Sequence, residues 1–112
     1  MNDDSNAPTS FCVVLTTLGS EAQAETLATQ IVAAGLGACV QVQAVKSFYR
    51  WEGKACVEPE WSLSIKTRKA LYERLEDFIR AHHAYETPEI VQVPIDGGSA
   101  DYLQWLAAGS AG

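Results

Sequence analysis

The segment from Ala38 to Lys66 constrains the fold more than any other. Val40 and Val42 alternate with Gln41 and Gln43, the period-2 pattern of a half-buried strand, and the run continues through Val45, Phe48 and Tyr49 to Trp51. Glu52-Gly53-Lys54 then supplies a tight reversal, and Trp61-Ser62-Leu63-Ser64-Ile65-Lys66 returns with strict alternation. An α-helix cannot gather such positions on one face, so the middle of the chain reads as a long β-hairpin around which the rest must pack.

The flanks supply what that hairpin lacks. Phe11 to Thr17 is a nearly continuous, β-branched apolar run, which suits a strand covered on both faces. Ser20 with Gln23 three residues later makes a capping box ahead of Leu27, Ala28, Ile31 and Val32, so a first helix is expected over 20–34, stopped by Gly35 and Gly37. Thr67 is placed to cap a second helix, whose Leu71, Leu75, Phe78, Ile79 and His82 share one face and whose exit is marked by Pro88. Ile90 to Ile95 reads as a strand with Pro94 near its end, and a last helix is expected from Ser99 to Gly109. The order is βαββαβ plus a terminal helix, an α+β chain of ferredoxin-like type with two helices on one face of an antiparallel sheet. At 112 residues this is one domain, expected over 11–109, and the polar start makes 1–10 a disordered tail. The other sheet face and the aromatics Phe48, Tyr49, Trp51 and Trp61 need a cover. A homo-oligomer in which hairpin strands extend a neighbour's sheet is therefore expected.

Eight Lys and Arg stand against 14 Asp and Glu, giving a net charge of −6, the wrong sign for a domain that lives on phosphate backbone, so no nucleic acid partner is expected. The third strand also lacks the aromatic run of an RNA-recognition module, and strand 1 is not followed by the glycine-rich, arginine-bearing loop of an acylphosphatase-like hydrolase. No apolar run approaches the roughly 20 residues of a membrane span. The acidic N-terminus is unlike a secretory signal, and a cytoplasmic address is the expectation. Cys12, Cys39 and Cys56 are an odd, widely spaced set that suggests reduced, mostly buried thiols.

Enzyme motifs are mostly absent: the chain has no Walker loop, no dinucleotide fingerprint, no nucleophile elbow and no two-histidine zinc-protease helix. Its polar chemistry gathers at the end of helix 2, where the only two histidines, His82 and His83, precede Tyr85, Glu86 and Glu89. Imidazole and carboxylate suit Cu(II), Zn(II) or Ni(II). Adjacent helical residues point about 100° apart, so both rings could hold one ion only if the helix unwinds there or separate subunits contribute. The plainer alternative is that His82 ends the apolar stripe while His83 caps carbonyls at the helix C-terminus. Cys39 beside the Gly-rich helix stop could be a soft ligand or a packed small residue. Tyr49, Trp51 and Trp61, with Lys66 and Arg50 as anion anchors, could line a pocket between subunits or fill an interface.

Several stretches taken together resemble the CutA family, the divalent-cation tolerance proteins: Leu36-Gly37-Ala38-Cys39-Val40, Ser47-Phe48-Tyr49-Arg50-Trp51-Glu52-Gly53-Lys54, Lys66-Thr67, His83-Ala84-Tyr85-Glu86-Thr87-Pro88-Glu89-Ile90, Pro94-Ile95 and Tyr102-Leu103-Gln104-Trp105-Leu106. The resemblance implies a tight homotrimer of ferredoxin-like subunits, similar in build to PII signalling proteins, that is non-enzymatic and linked to copper and other divalent cations. It implies metal ligation by His82 and His83, and the leading expectation adds Glu86 or Glu89 from the neighbouring polar cluster as assisting ligands. Some members carry a strand 1 cysteine where this chain has Thr16, so the remaining nitrogen and oxygen donors suit Cu(II) better than Cu(I). Ala84 stands where the family usually has Pro, which leaves that loop less stiff. Two other readings follow. One is a PII-like sensor holding a metabolite in an inter-subunit cleft of Cys39, Trp51, Lys66, Tyr85 and Glu86. The other is a structural trimer that presents partner proteins.

Overall fold

The computed structural model describes residues 10–112, so the expected disorder of the N-terminal tail falls almost wholly outside the described residues. Strand β1 is Phe11–Leu18, helix α1 Glu21–Ala33, strand β2 Cys39–Trp51, strand β3 Lys54–Arg68, helix α2 Tyr72–His82, strand β4 Val91–Ile95 and helix α3 Ala100–Gly109. The sheet order is β2-β3-β1-β4 and every neighbouring pair is antiparallel, which is the expected ferredoxin-like arrangement.

Local chemistry accounts for most boundaries. Ser20 Oγ accepts the Gln23 N–H at 3.1 Å and starts α1. Ser99 caps α3 through the Tyr102 N–H. Glu52 and Gly53 both take positive φ, 49° and 79°, as a two-residue hairpin turn whose twist matches its strands requires.

Two expectations need correction. The returning strand begins at Lys54, seven residues before the alternating run, and passes through Pro59. Proline is tolerated there because β1 pairs only with residues 61–68 of β3, so at Pro59 the ladder lies on the β2 side alone. Thr67 does not cap α2: it lies inside β3, opposite Cys12, and a 3-10 turn at Lys69–Leu71 separates it from the helix. The Thr67 Oγ1 is buried with no hydrogen-bond partner among the described residues, as is the Thr16 Oγ1. An orphaned buried hydroxyl costs about 1–3 kcal/mol, so Thr67→Val is expected to stabilise the fold by about 1 kcal/mol. Urea unfolding would show a raised midpoint at unchanged slope, and a lowered midpoint would refute the assignment.

Residue parity on the strands separates the two sheet faces. Cys12, Val14, Leu18, Leu63 and Ile65 pack with Ala24, Leu27, Ile31, Leu75 and Ile79 into a core between the sheet and helices α1 and α2. The opposite face is only partly covered, by α3, where the Lys66 ammonium lies 5.6 Å over the Tyr102 ring and the Arg68 Nε–H donates to the Ser110 carbonyl at 2.7 Å. Among the described residues the distal part of the β2–β3 ribbon has no third strand, and it is apolar on both faces. Phe48 (73 % exposed) opposes Val57 (54 %) on one side, while Trp51 (61 %) lies on the other. No helix among the described residues is long and apolar enough to cross a membrane.

Candidate functional site

Helix α2 ends at His82, and His83 follows with extended backbone, φ −94° and ψ 141°. The two rings consequently leave the helix for different surroundings. His82 stacks on Phe78 with ring centroids 4.1 Å apart, and its Nδ1–H donates to the Phe78 carbonyl at 2.8 Å. A carbonyl only accepts, so that bond puts a proton on Nδ1; in the neutral ring the lone pair is then on Nε2, which has no hydrogen-bond partner among the described residues. His82 is exposed and lines a groove of about 240 Å³ between α1 and α2, with Gln23, Thr26 and Gln30 opposite.

His83 is engaged at both nitrogens. Its Nε2–H donates to the Thr17 carbonyl at 2.7 Å, and its Nδ1 accepts the Tyr85 N–H at 3.0 Å. Strand β4 begins opposite Leu15, so on that edge Thr17 has no strand partner, and the imidazole takes the place of one. The capping role expected of His83 thus belongs to His82, which bonds a carbonyl of the last turn, while His83 ties the following loop to β1.

Tyr85 carries the chain of contacts onward. Its hydroxyl donates to Glu60 Oε2 at 3.0 Å, at the base of the ribbon. Burial, then the Glu60 carboxylate, push its pKa up to about 12, so it remains a phenol and a donor at neutral pH. Glu60 carries no motif, and its role follows only from the register that sets it on the Tyr85 side of the sheet.

Among the described residues no group of three or more His, Cys, Asp or Glu is gathered as a metal-binding cluster, so His82, His83, Glu86 and Glu89 do not form a preformed set within one chain. Glu86 and Glu89 lie exposed on the loop after α2. The cleft residues separate in a similar way. Cys39 and Lys66 are cross-strand partners, but Trp51 lies twelve residues along β2, roughly 40 Å away at the rise of a strand, so only different copies of the chain could bring it to Lys66. All three cysteines are free, and only Cys12 is fully buried, with burial pushing its thiol up to about 11, far from a thiolate ligand.

The sequence model of the CutA1 divalent ion tolerance protein family matches residues 12–109. The chain is 42% identical over 107 residues to the chloroplastic protein CutA of Arabidopsis thaliana, covering 95% of this chain and 58% of that relative, so it spans little more than half the plant protein. It is 38% identical over 109 residues to the divalent-cation tolerance protein CutA of Escherichia coli, covering 96% and 97% of the two chains. The solved structure of CutA from Synechococcus elongatus superposes with a TM-score of 0.89 at 32% identity, over 92% of each chain.

Proposed function

The chain belongs to the CutA1 family of divalent ion tolerance proteins, and from that premise we propose that it is a non-enzymatic homotrimer that binds copper(II) or another divalent cation and serves the cell's response to metal ions. The observation that carries the reading is the free Nε2 of His82. A ring whose other nitrogen donates to a carbonyl is held in one tautomer and one orientation, which is how proteins commonly prepare an imidazole for a metal.

Glu86 and Glu89 on the adjoining loop supply oxygen donors of the right hardness for Cu(II) or Zn(II). One imidazole and exposed carboxylates make a weak site, and ligands from a neighbouring copy or water complete the coordination. The trimer is supported by the ribbon, because a two-stranded ribbon apolar on both faces is not stable alone in water and the free edge of β4 offers it a partner. Three free thiols suit a reducing compartment, and the cytoplasm is the proposed address.

The test is calorimetric titration of Cu(II) into chelator-stripped protein at pH 7.5, beside a His82→Ala variant of unchanged oligomeric mass. Loss of the ring should weaken binding by at least about tenfold, the smallest penalty seen even for outer-shell changes at metal sites. Identical isotherms would reject the reading. In that event the metabolite sensor takes its place, favoured by the Lys66 ammonium that caps the Tyr102 ring on the face that α3 only partly covers, and an organic ligand that raises the melting temperature in chelator would mark it.

A further inference from the structure

We propose that His83 is a latch and not a cation ligand: it clamps the loop after α2 to the end of β1 and thereby aims the Tyr85 hydroxyl at Glu60, beneath the ribbon. Every nitrogen of its ring is committed. A single neutral tautomer, protonated at Nε2, satisfies both the donation to Thr17 and the acceptance from the Tyr85 amide. Its ring also lies against Tyr85, with centroids 4.8 Å apart. A cation reaching for Nδ1 would have to displace the Tyr85 N–H, and one reaching for Nε2 would strip a proton and leave the Thr17 carbonyl without the partner that stands in for a strand. Both routes undo the contacts that seat Tyr85 on Glu60.

The two adjacent histidines therefore divide the work. His82, protonated at Nδ1, offers Nε2 outward, whereas His83, protonated at Nε2, turns Nδ1 inward to the backbone. The first half rests on the proposed cation site, and the second stands on the hydrogen bonds alone. The consequence is that His83 controls the shape of the ribbon base through Tyr85 and Glu60, with no direct part in affinity for the ion.

Long-range proton–nitrogen NMR spectra of the ¹⁵N-labelled protein test this, with Zn(II) as the diamagnetic probe. The two rings should show opposite neutral tautomers before metal is added. Zn(II) should then shift His82 Nε2 and leave both His83 nitrogens in place. In a His83→Ala variant, hydrogen exchange of the Tyr85 amide should quicken about fivefold, the equivalent of one hydrogen bond, with Zn(II) affinity within about twofold of the parent. An Nδ1–H tautomer at His83, or Zn(II) moving its ring nitrogens while the Tyr85 amide loses protection, would overturn the latch. Zn(II) moving neither ring would reject the proposed cation site and leave the latch supported by tautomer and exchange. Because the tautomers are read on the parent protein, a variant that fails to fold does not remove the test.

Discussion

Ile65→Ala is expected to destabilise the fold by about 2–5 kcal/mol, in the upper part of that range. Ile65 is fully buried at the centre of the sheet, paired with Val14 on one side and Val40 on the other, and it faces the α1–α2 layer. Gly37 lies so close that a Cβ there would come within 2.7 Å of Ile65 Cγ2 and 3.0 Å of Ile31 Cγ2. A cavity opened at Ile65 is thus bordered by backbone that has no side chain to swing in, and the strands on either side hold it apart. Such sites relax little, and the cost rises with the volume left empty. Urea unfolding at one fixed protein concentration measures the loss, since the stability of the proposed oligomer depends on concentration. A loss below about 1 kcal/mol would mean that the core refills despite Gly37.

The second large effect is on assembly. Phe48→Asp combined with Val57→Asp places two carboxylates directly opposite each other on the exposed ribbon, where like charges repel and the apolar cover is gone. The expected result is a fall to monomeric mass by light scattering at micromolar protein, with the helical circular dichroism retained because neither residue touches the core. Unchanged mass would show that the ribbon is not the contact between copies. Separating mass from folding is essential, because the ribbon's own pairing is weak without a cover.

Much of the fold is legible in the sequence alone. The period-2 runs and the Glu52-Gly53 turn located the hairpin, since glycine readily takes the positive φ that a tight type I′ turn needs at its second residue. Ser20 and Ser99 announced two helix starts, because a cap is a contact between residues three apart. The family resemblance, read from short stretches spread over the chain, agreed with the later match over residues 12–109.

What stayed hidden depended on partners distant in sequence. Pro59 masked the first half of β3, and only the limit of β1 pairing explains why proline is harmless there. Thr67 carried a capping residue's chemistry and lost that role to the register with Cys12. His82 and His83 looked equivalent as neighbouring imidazoles at a helix end. Their difference arises because α2 stops between them and β4 starts too late to pair with Thr17, which gives one ring the helix carbonyl and the other a bare strand edge. Sequence determined which elements form, because periodicity, caps and turns are local. Tertiary structure alone decided that His83 keeps neither nitrogen free, because one of its bonds goes to a carbonyl 66 residues away.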